Sequence, residues 1–407
     1  MKSAVAALLM VSAVAGGLSS PAAEIMRFQF PSGPVRPGFQ PVTPGDHFTP
    51  ERGYGFDLGT GPAGATDGQP FYFSVALPEG NYHVAITFGD VHDATTNTVK
   101  AELRRLMLER VVTQPGEFVT RTIAVNLRTP AIAGGDHVHL KPREKQTEMV
   151  DWDDKLTLEF NGSRPGLAAL AITPAKVPTV FILGDSTVCD QPLEPWNSWG
   201  QMLTRFFGPG VALANHAESG ESIRSSLGAR RFAKVFSLMQ PGDWLLLQYG
   251  HNDMKDKATN ALATYKANLE KIVEECRAKG GTPVLITSME RKAGLEHDTL
   301  AGYPQTVRDV AREQGTALID LHAMSRVFYR ALGSDLDQAF QDGTHHKAYG
   351  SYELAKCVAE GLRANKLPLA ASLTADFTGF DPAKPDPVGT FAVPASPMHS
   401  DRKPDGN

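Results

Sequence analysis

Cysteine is scarce in this chain. Cys189, Cys276 and Cys357 are its only three in 407 residues, so at most one disulfide can form and a disulfide-stapled scaffold is excluded. No apolar run reaches the ~20 residues that a membrane-spanning helix needs. Neither sign of charge dominates: the net charge is −5, with acidic and basic residues interspersed. A nucleic-acid or anionic-membrane partner is therefore not expected. Neither a His-Glu-x-x-His run nor paired-cysteine spacing is present, so no metal or organic cofactor is expected.

The longest apolar stretch, Ala4 to Leu18, follows Lys2 and precedes Pro21-Ala22-Ala23. This is the pattern of a secretory signal peptide over residues 1–23, and it implies a secreted or periplasmic protein. From 24 to about 175, short strand-like runs are broken by Gly, Pro, Asn and Asp: Phe71 to Leu77, Tyr82 to Phe88, Phe118 to Leu127, His137 to Leu140, Leu156 to Phe160 and Ala168 to Ile172. Together they predict an all-β sandwich. The charged run Glu102 to Val112 reads as strand or bulge.

Beyond residue 177 the texture changes to alternation. Strand candidates Thr179–Leu183, Val211–Ala214, Trp244–Gln248, Pro283–Thr287 and Ala317–Asp320 are separated by runs with helical spacing: Trp199–Phe207, Ile223–Leu238, Thr259–Lys279 and Pro304–Gln314. A last helix is expected from about Tyr349 to Leu362. Such β-α repetition builds a parallel sheet flanked by helices, with ligands bound beyond the carboxyl ends of the strands. Residues 371–407, rich in Pro, Asp, Gly and Ser, read as a flexible tail.

The chemistry gathers at those strand ends. Gly184-Asp185-Ser186-Thr187 follows the first buried strand, and Asp342-Gly343-Thr344-His345 lies near the end of the same domain. A serine hydroxyl is a weak nucleophile until an imidazole takes its proton, and the imidazole needs a carboxylate to orient it. Ser186, Asp342 and His345 offer that set. Because no Gly-x-Ser-x-Gly elbow surrounds Ser186, an ordinary α/β-hydrolase is disfavoured. Two more blocks follow strands: Glu218-Ser219-Gly220-Glu221 and Gly250-His251-Asn252-Asp253. The backbone N–H groups of Ser186 and Gly220 and the side-chain amide of Asn252 could together face a developing oxyanion.

These four blocks, in this order, resemble the SGNH (GDSL-like) hydrolase superfamily, and within it the rhamnogalacturonan acetylesterase group. The resemblance covers roughly residues 178 to 370. It implies a flavodoxin-like parallel sheet, a Ser186–His345–Asp342 triad, an oxyanion hole of Ser186, Gly220 and Asn252, and removal of acetyl esters from pectic polysaccharide. The preceding sandwich resembles the galactose-binding-like modules joined to carbohydrate esterases. The partner implied is an acetylated polysaccharide or oligosaccharide, met by a monomer.

Bland readings accompany the sharp ones. Ser186 could cap a helix, although Asp185 can fill that role. Cys189 suits a buried filler. His345 and His346 are adjacent, and spacing from Asp342 favours His345 as the base. Asp342, His345, His346 and His251 also admit a metal reading. Arg224, Arg291 and His346, with Glu290 and Lys292 nearby, are candidate substrate contacts. In the sandwich, Tyr54, Phe56 and Trp152 suit either sugar stacking or the core. Other lipases or thioesterases of the superfamily, and a non-catalytic carbohydrate-binding protein, are the rival functions.

Overall fold

The computed structural model of the protein describes residues 25–34, 36–61 and 69–403. The expected signal peptide lies outside the described residues.

Strands from Met26 to Pro174 make two five-stranded sheets and a small ribbon of Ala131–Ile132 with Asp136–His137. The first orders Gln40–Pro41, Met26–Gln29, Leu167–Pro174, Gly80–Phe88 and Val119–Leu127; the second orders Tyr54–Asp57, Phe71–Ala76, Lys155–Arg164, Thr95–Ala101 and Arg105–Thr113. Alternate residues of both sheets close one apolar core, in which Phe28, Val84 and Ile86 of the first meet Phe73, Val99 and Leu158 of the second. The result is a β-sandwich. The run from Glu102 to Val112 resolves into a tight hairpin turn at Glu102–Arg104 and the strand Arg105–Thr113. Glu102 (φ +53°) and Arg104 (φ +65°) adopt left-handed backbone there.

The second unit is a five-stranded parallel sheet in the order Ala212–Asn215, Thr179–Gly184, Trp244–Gln248, Thr282–Ile286, Ala317–Ile319. This is the flavodoxin-like order, with the first strand in sequence lying second in the sheet. Continuous apolar runs make the strands Ala212–Asn215, Thr179–Gly184 and Trp244–Gln248 buried throughout, as a sheet covered on both faces requires, while the edge strand Ala317–Ile319 is only partly buried. The run from Ile223 to Leu238 is two helices, Ile223–Gly228 and Arg231–Leu238, broken where Arg230 takes φ +66°. A further amphipathic helix, Leu321–Leu332, not among the expected elements, follows the last strand, capped by Asp320 accepting from the Ala323 N–H.

The two units are joined through buried charge. Arg105, on the sandwich hairpin, faces Asp190 at 3.3 Å, Asp151 at 3.5 Å and Glu102 at 3.8 Å, and donates to the carbonyls of Asn126 and Leu213. Arg104 reaches the carbonyls of Gln191 and Trp196 and the carboxylate of Glu194. Trp152 packs between Arg128 and Arg231 at this seam, and Phe56 lies in the sandwich core, so neither presents a face for sugar.

Residues 371–403 are not a loose tail. Thr374 N–H donates to Phe206 O, Phe377 packs edge-on against Phe206, and Phe391 packs against Tyr349 and Tyr352 of the helix Ala348–Ala364. The segment then crosses to the sandwich, where Lys100 Nζ donates to Pro394 O and Ser396 Oγ, and returns to exchange backbone hydrogen bonds with Glu194 at Met398 and Ser400. It lacks periodicity because it is irregular, and spaced aromatic and polar anchors hold it like a strap.

Candidate active site

Ser186 sits in the turn that leaves Thr179–Gly184. Asp185 organises this turn: its Oδ1 accepts from the Thr187 N–H and hydroxyl, and its Oδ2 faces His251 Nδ1 at 3.3 Å. No helix begins here, the next being Trp199–Leu203 with Ser198 as its N-cap, so Asp185 holds a turn and the Ser186 hydroxyl is left for other work. Gly184 is required by crowding, since a Cβ there would lie 2.5 Å from Val188 Cγ2 and 2.7 Å from Gln248 O.

The Ser186 hydroxyl donates to His345 Nε2 at 2.9 Å, and His345 Nδ1–H donates to Asp342 Oδ2 at 2.9 Å. A spacing of three suffices because Asp342 Oδ1 also accepts from the backbone N–H groups of Thr344 and His345, both at 2.7 Å, which winds the segment into one turn. Partial burial works against the charge of Asp342. The hydrogen bonds and charge of His345, with these two N–H groups, nevertheless hold its carboxyl well below the usual range. Asn197 N–H donates to His346 O and braces the loop from behind.

Gly220 has φ +76°, a conformation that glycine adopts without strain. The Asn252 amide donates to Glu221 O at 3.0 Å, which leaves its second N–H. Both residues therefore border one turn, Ser219–Glu221, opposite the end of the first strand. Gln191 ties this turn to the nucleophile turn, its amide donating to Ser186 O at 2.7 Å and to Ser219 Oγ at 3.1 Å.

The remaining sequence candidates fall elsewhere. His346 is buried, stacks on Tyr329 and contacts Phe340, and its Nε2 faces the Tyr329 hydroxyl at 2.9 Å. Burial, with the charges of His345 and His251, pushes it down to about 3. It is a packing residue rather than a substrate contact. Arg291 spends its guanidinium on the carbonyls of Thr299 and His251 and braces a loop. Arg224, 82% exposed at its side chain, faces Asp256 at 3.8 Å in a small groove shared with Asn252 and Asp253. Glu290 is buried against His322 and Thr299, and Lys292 pairs with Asp337. Cys189 is buried, and burial pushes its thiol far up, so no thiolate competes with Ser186.

The histidines and Asp342 do not converge on a common point: His345 faces Ser186, His346 faces Tyr329, and His251 faces Asp185 and the Met289 carbonyl. Two other clusters, Glu290–Asp298–His322 and Glu144–Glu148–Glu218, have carboxylate and imidazole atoms close enough for a cation. Arg326 stands 3.8 Å from Glu290, and Arg231 and Arg143 pair with the second cluster, so both already have cations of the chain's own.

Sequence reasoning missed the walls of the cleft. Trp196 sets its ring edge-on to His345, with centroids 5.6 Å apart, and its indole N–H donates to Ser400 O of the strap. A cavity of about 190 Å3 lies beside the serine turn, lined among others by Arg143, Gln191, Trp196, Ser219, Arg402 and Lys403. Lys403 Nζ is 3.4 Å from Asp342. A tryptophan in the Pro-flanked loop just after the nucleophile turn was the one available signal; nothing in the sequence marks the basic residues.

Comparison with known proteins gives the chain its relatives. Residues 182–351 match the model of the GDSL-like lipase/acylhydrolase family. The rhamnogalacturonan acetylesterase RhgT of Bacillus subtilis is 35% identical over 213 residues, 47% of this chain and 91% of that protein. An uncharacterized esterase of the same bacterium, YxiM, is 26% identical over 371 residues, 84% of this chain and 91% of its own. The crystal structure of B. subtilis YxiM covers 85% of this chain and 99% of its own at 23% identity, with a TM-score of 0.47.

Proposed function

Since the chain belongs to the GDSL-like lipase/acylhydrolase family and is a carboxylic ester hydrolase, we propose that it is a secreted esterase that removes O-acetyl groups from pectic polysaccharide. The observation that carries the reading is the continuous hydrogen-bonded line from Ser186 Oγ through His345 to Asp342.

In this reading Ser186 Oγ attacks the acetyl carbonyl carbon while His345 Nε2 takes the hydroxyl proton. Asp342 holds the imidazole in the required tautomer and stabilises the imidazolium that forms. The tetrahedral oxyanion is met by the N–H groups of Ser186 and Gly220 and the second N–H of Asn252. His345 then protonates the departing sugar oxygen, and the acetyl group stays on Ser186. Water attacks this acyl-enzyme with His345 again as base, releasing acetate and restoring the serine.

Two observations support a pectic substrate. RhgT is named a rhamnogalacturonan acetylesterase. In addition, Arg402 and Lys403 line the cavity beside the serine turn, a rim that suits a glycan bearing carboxylates. The Lys2 to Ala23 pattern supports export.

The test is acetate release by wild type and Ser186→Ala from acetylated pectins, xylan and mannan, with p-nitrophenyl acetate as control. Serine-dependent release, fastest from pectin, is expected. Preference for xylan or mannan would move the substrate; a folded Ser186→Ala of wild-type rate would overturn the mechanism.

A further inference from the structure

The sandwich reaches into the site through the short turn Pro142–Lys145. Lys141 Nζ and Arg143 Nη2 both donate to the carbonyl of Ser219, each at 2.7 Å. That carbonyl shares its peptide unit with the Gly220 N–H, the group that the proposed mechanism directs at the oxyanion. Glu194–Pro195 is the sole cis peptide among the described residues, so the Ser219–Gly220 peptide is trans, and its C=O and N–H point in opposite directions. Two cations on the carbonyl therefore fix where the N–H points.

They are themselves fixed. Lys141 Nζ is 2.7 Å from Glu221, Arg143 Nε is 3.2 Å from Glu148, and Arg143 also pairs with Glu218. Glu144 accepts from the Lys141 backbone N–H at 2.8 Å and pairs bidentately with Arg231, at 3.0 and 2.6 Å, on a helix of the hydrolase unit. Arg231 and Glu144 are fully buried, so the turn cannot drift without exposing or unpairing buried charge.

We infer that Lys141 and Arg143 of the sandwich are positioning residues for the oxyanion hole, holding and polarising the Ser219–Gly220 peptide from the side opposite the substrate. The inference rests on the acyl-enzyme reading above. Hydrogen bonds to a carbonyl strengthen the donor at the other end of the same amide, and here both bonds are charge-assisted. Their benefit falls on the transition state, where the oxyanion carries charge, more than on the bound ester.

The test is steady-state kinetics of Lys141→Met/Arg143→Met beside Lys141→Arg and Arg143→Lys, with thermal denaturation of each. Removing one oxyanion donor outright costs roughly 10^2 to 10^3 in kcat, so misorienting one predicts a fall of about 10- to 100-fold in kcat with KM within about threefold. The conservative variants should recover most of the rate. Three outcomes would overturn the assignment: a folded double variant with kcat within about twofold of wild type, a loss carried by KM, or conservative changes as damaging as methionine. If Ser186→Ala is inactive while the double variant is fully active, only this assignment falls. Turnover that persists in Ser186→Ala removes the acyl-enzyme reading and this assignment with it.

Discussion

The parallel sheet and the sandwich reach the cleft by different routes. From the sheet unit come the groups of the proposed chemistry: Ser186, Gly220 and Asn252 in the loops after Thr179–Gly184, Ala212–Asn215 and Trp244–Gln248, and Asp342 and His345 in the loop before the helix Ala348–Ala364. The sandwich supplies no reacting group, yet Lys141, Arg143, Arg104 and Arg105 tie it to the backbone and carboxylates that underlie those loops. One unit owns the chemistry, and the other holds its geometry. The seam between them combines buried ion pairs with apolar contact, Leu106 of the sandwich packing into the core of the hydrolase unit.

Breaking the chemistry alone should give the largest effect. Ser186→Ala is expected to lower kcat for p-nitrophenyl acetate by about 10^4-fold or more with the thermal transition unchanged. A loss of stability instead would place Ser186 in the scaffold. Breaking the seam comes next. Arg105→Ala leaves Asp190 and Glu102 buried without their cation, and Asp151 with Arg128 alone, and should cost about 3–5 kcal/mol in denaturant unfolding. A cost below about 1 kcal/mol would show that the units are not held through this charge.

A titration separates the site loop from its surroundings with a smaller effect. Folded His346 has its pKa pushed down to about 3 from the ordinary 6.5. Below pH 6.5 the unfolded imidazole binds a proton that the folded one refuses. Its contribution to stability is therefore complete above 6.5 and is lost progressively as pH falls from there toward 3, by about 1.4 kcal/mol per pH unit. His346→Gln keeps a polar partner for Tyr329 and removes the titration. Its stability should decline less steeply than wild type between pH 6.5 and 5 in urea melts. Parallel curves would refute the buried neutral state. The smallest effect is expected at the strap: Trp196→Phe keeps a ring edge on His345 but loses the bond to Ser400 O, at about 1 kcal/mol or roughly fivefold in kcat/KM. An unaltered rate would mean that the strap does not act on His345 through Trp196.

What could be read from the sequence follows the same division. Strands buried on both faces and helices of regular period were legible because their residues repeat, and Asp342 and His345 were legible as a pair because three residues make one turn. The helix Leu321–Leu332 escaped because it starts directly at the end of a strand, with only Asp320 as its marker. His346 was taken for a contact because adjacency in sequence says nothing of direction: the two neighbouring imidazoles point to Ser186 and to Tyr329. Residues 371–403 looked loose because their anchors, Phe377, Phe391, Ser396 and Ser400, recur at no period. Lys141 and Arg143 act across the seam, and no local pattern marks a residue whose partner lies in another unit.

The strap has one more consequence. Trp196 and Ser400, bonded across the cleft rim, are 204 residues apart in the chain. A ribosome delivers Ser186 and the first strand long before it delivers the residues that close the wall beside His345. The finished cleft therefore depends on a later-made stretch of polypeptide arriving and docking, so a product cut short before that stretch can carry the whole triad and still lack one side of its site.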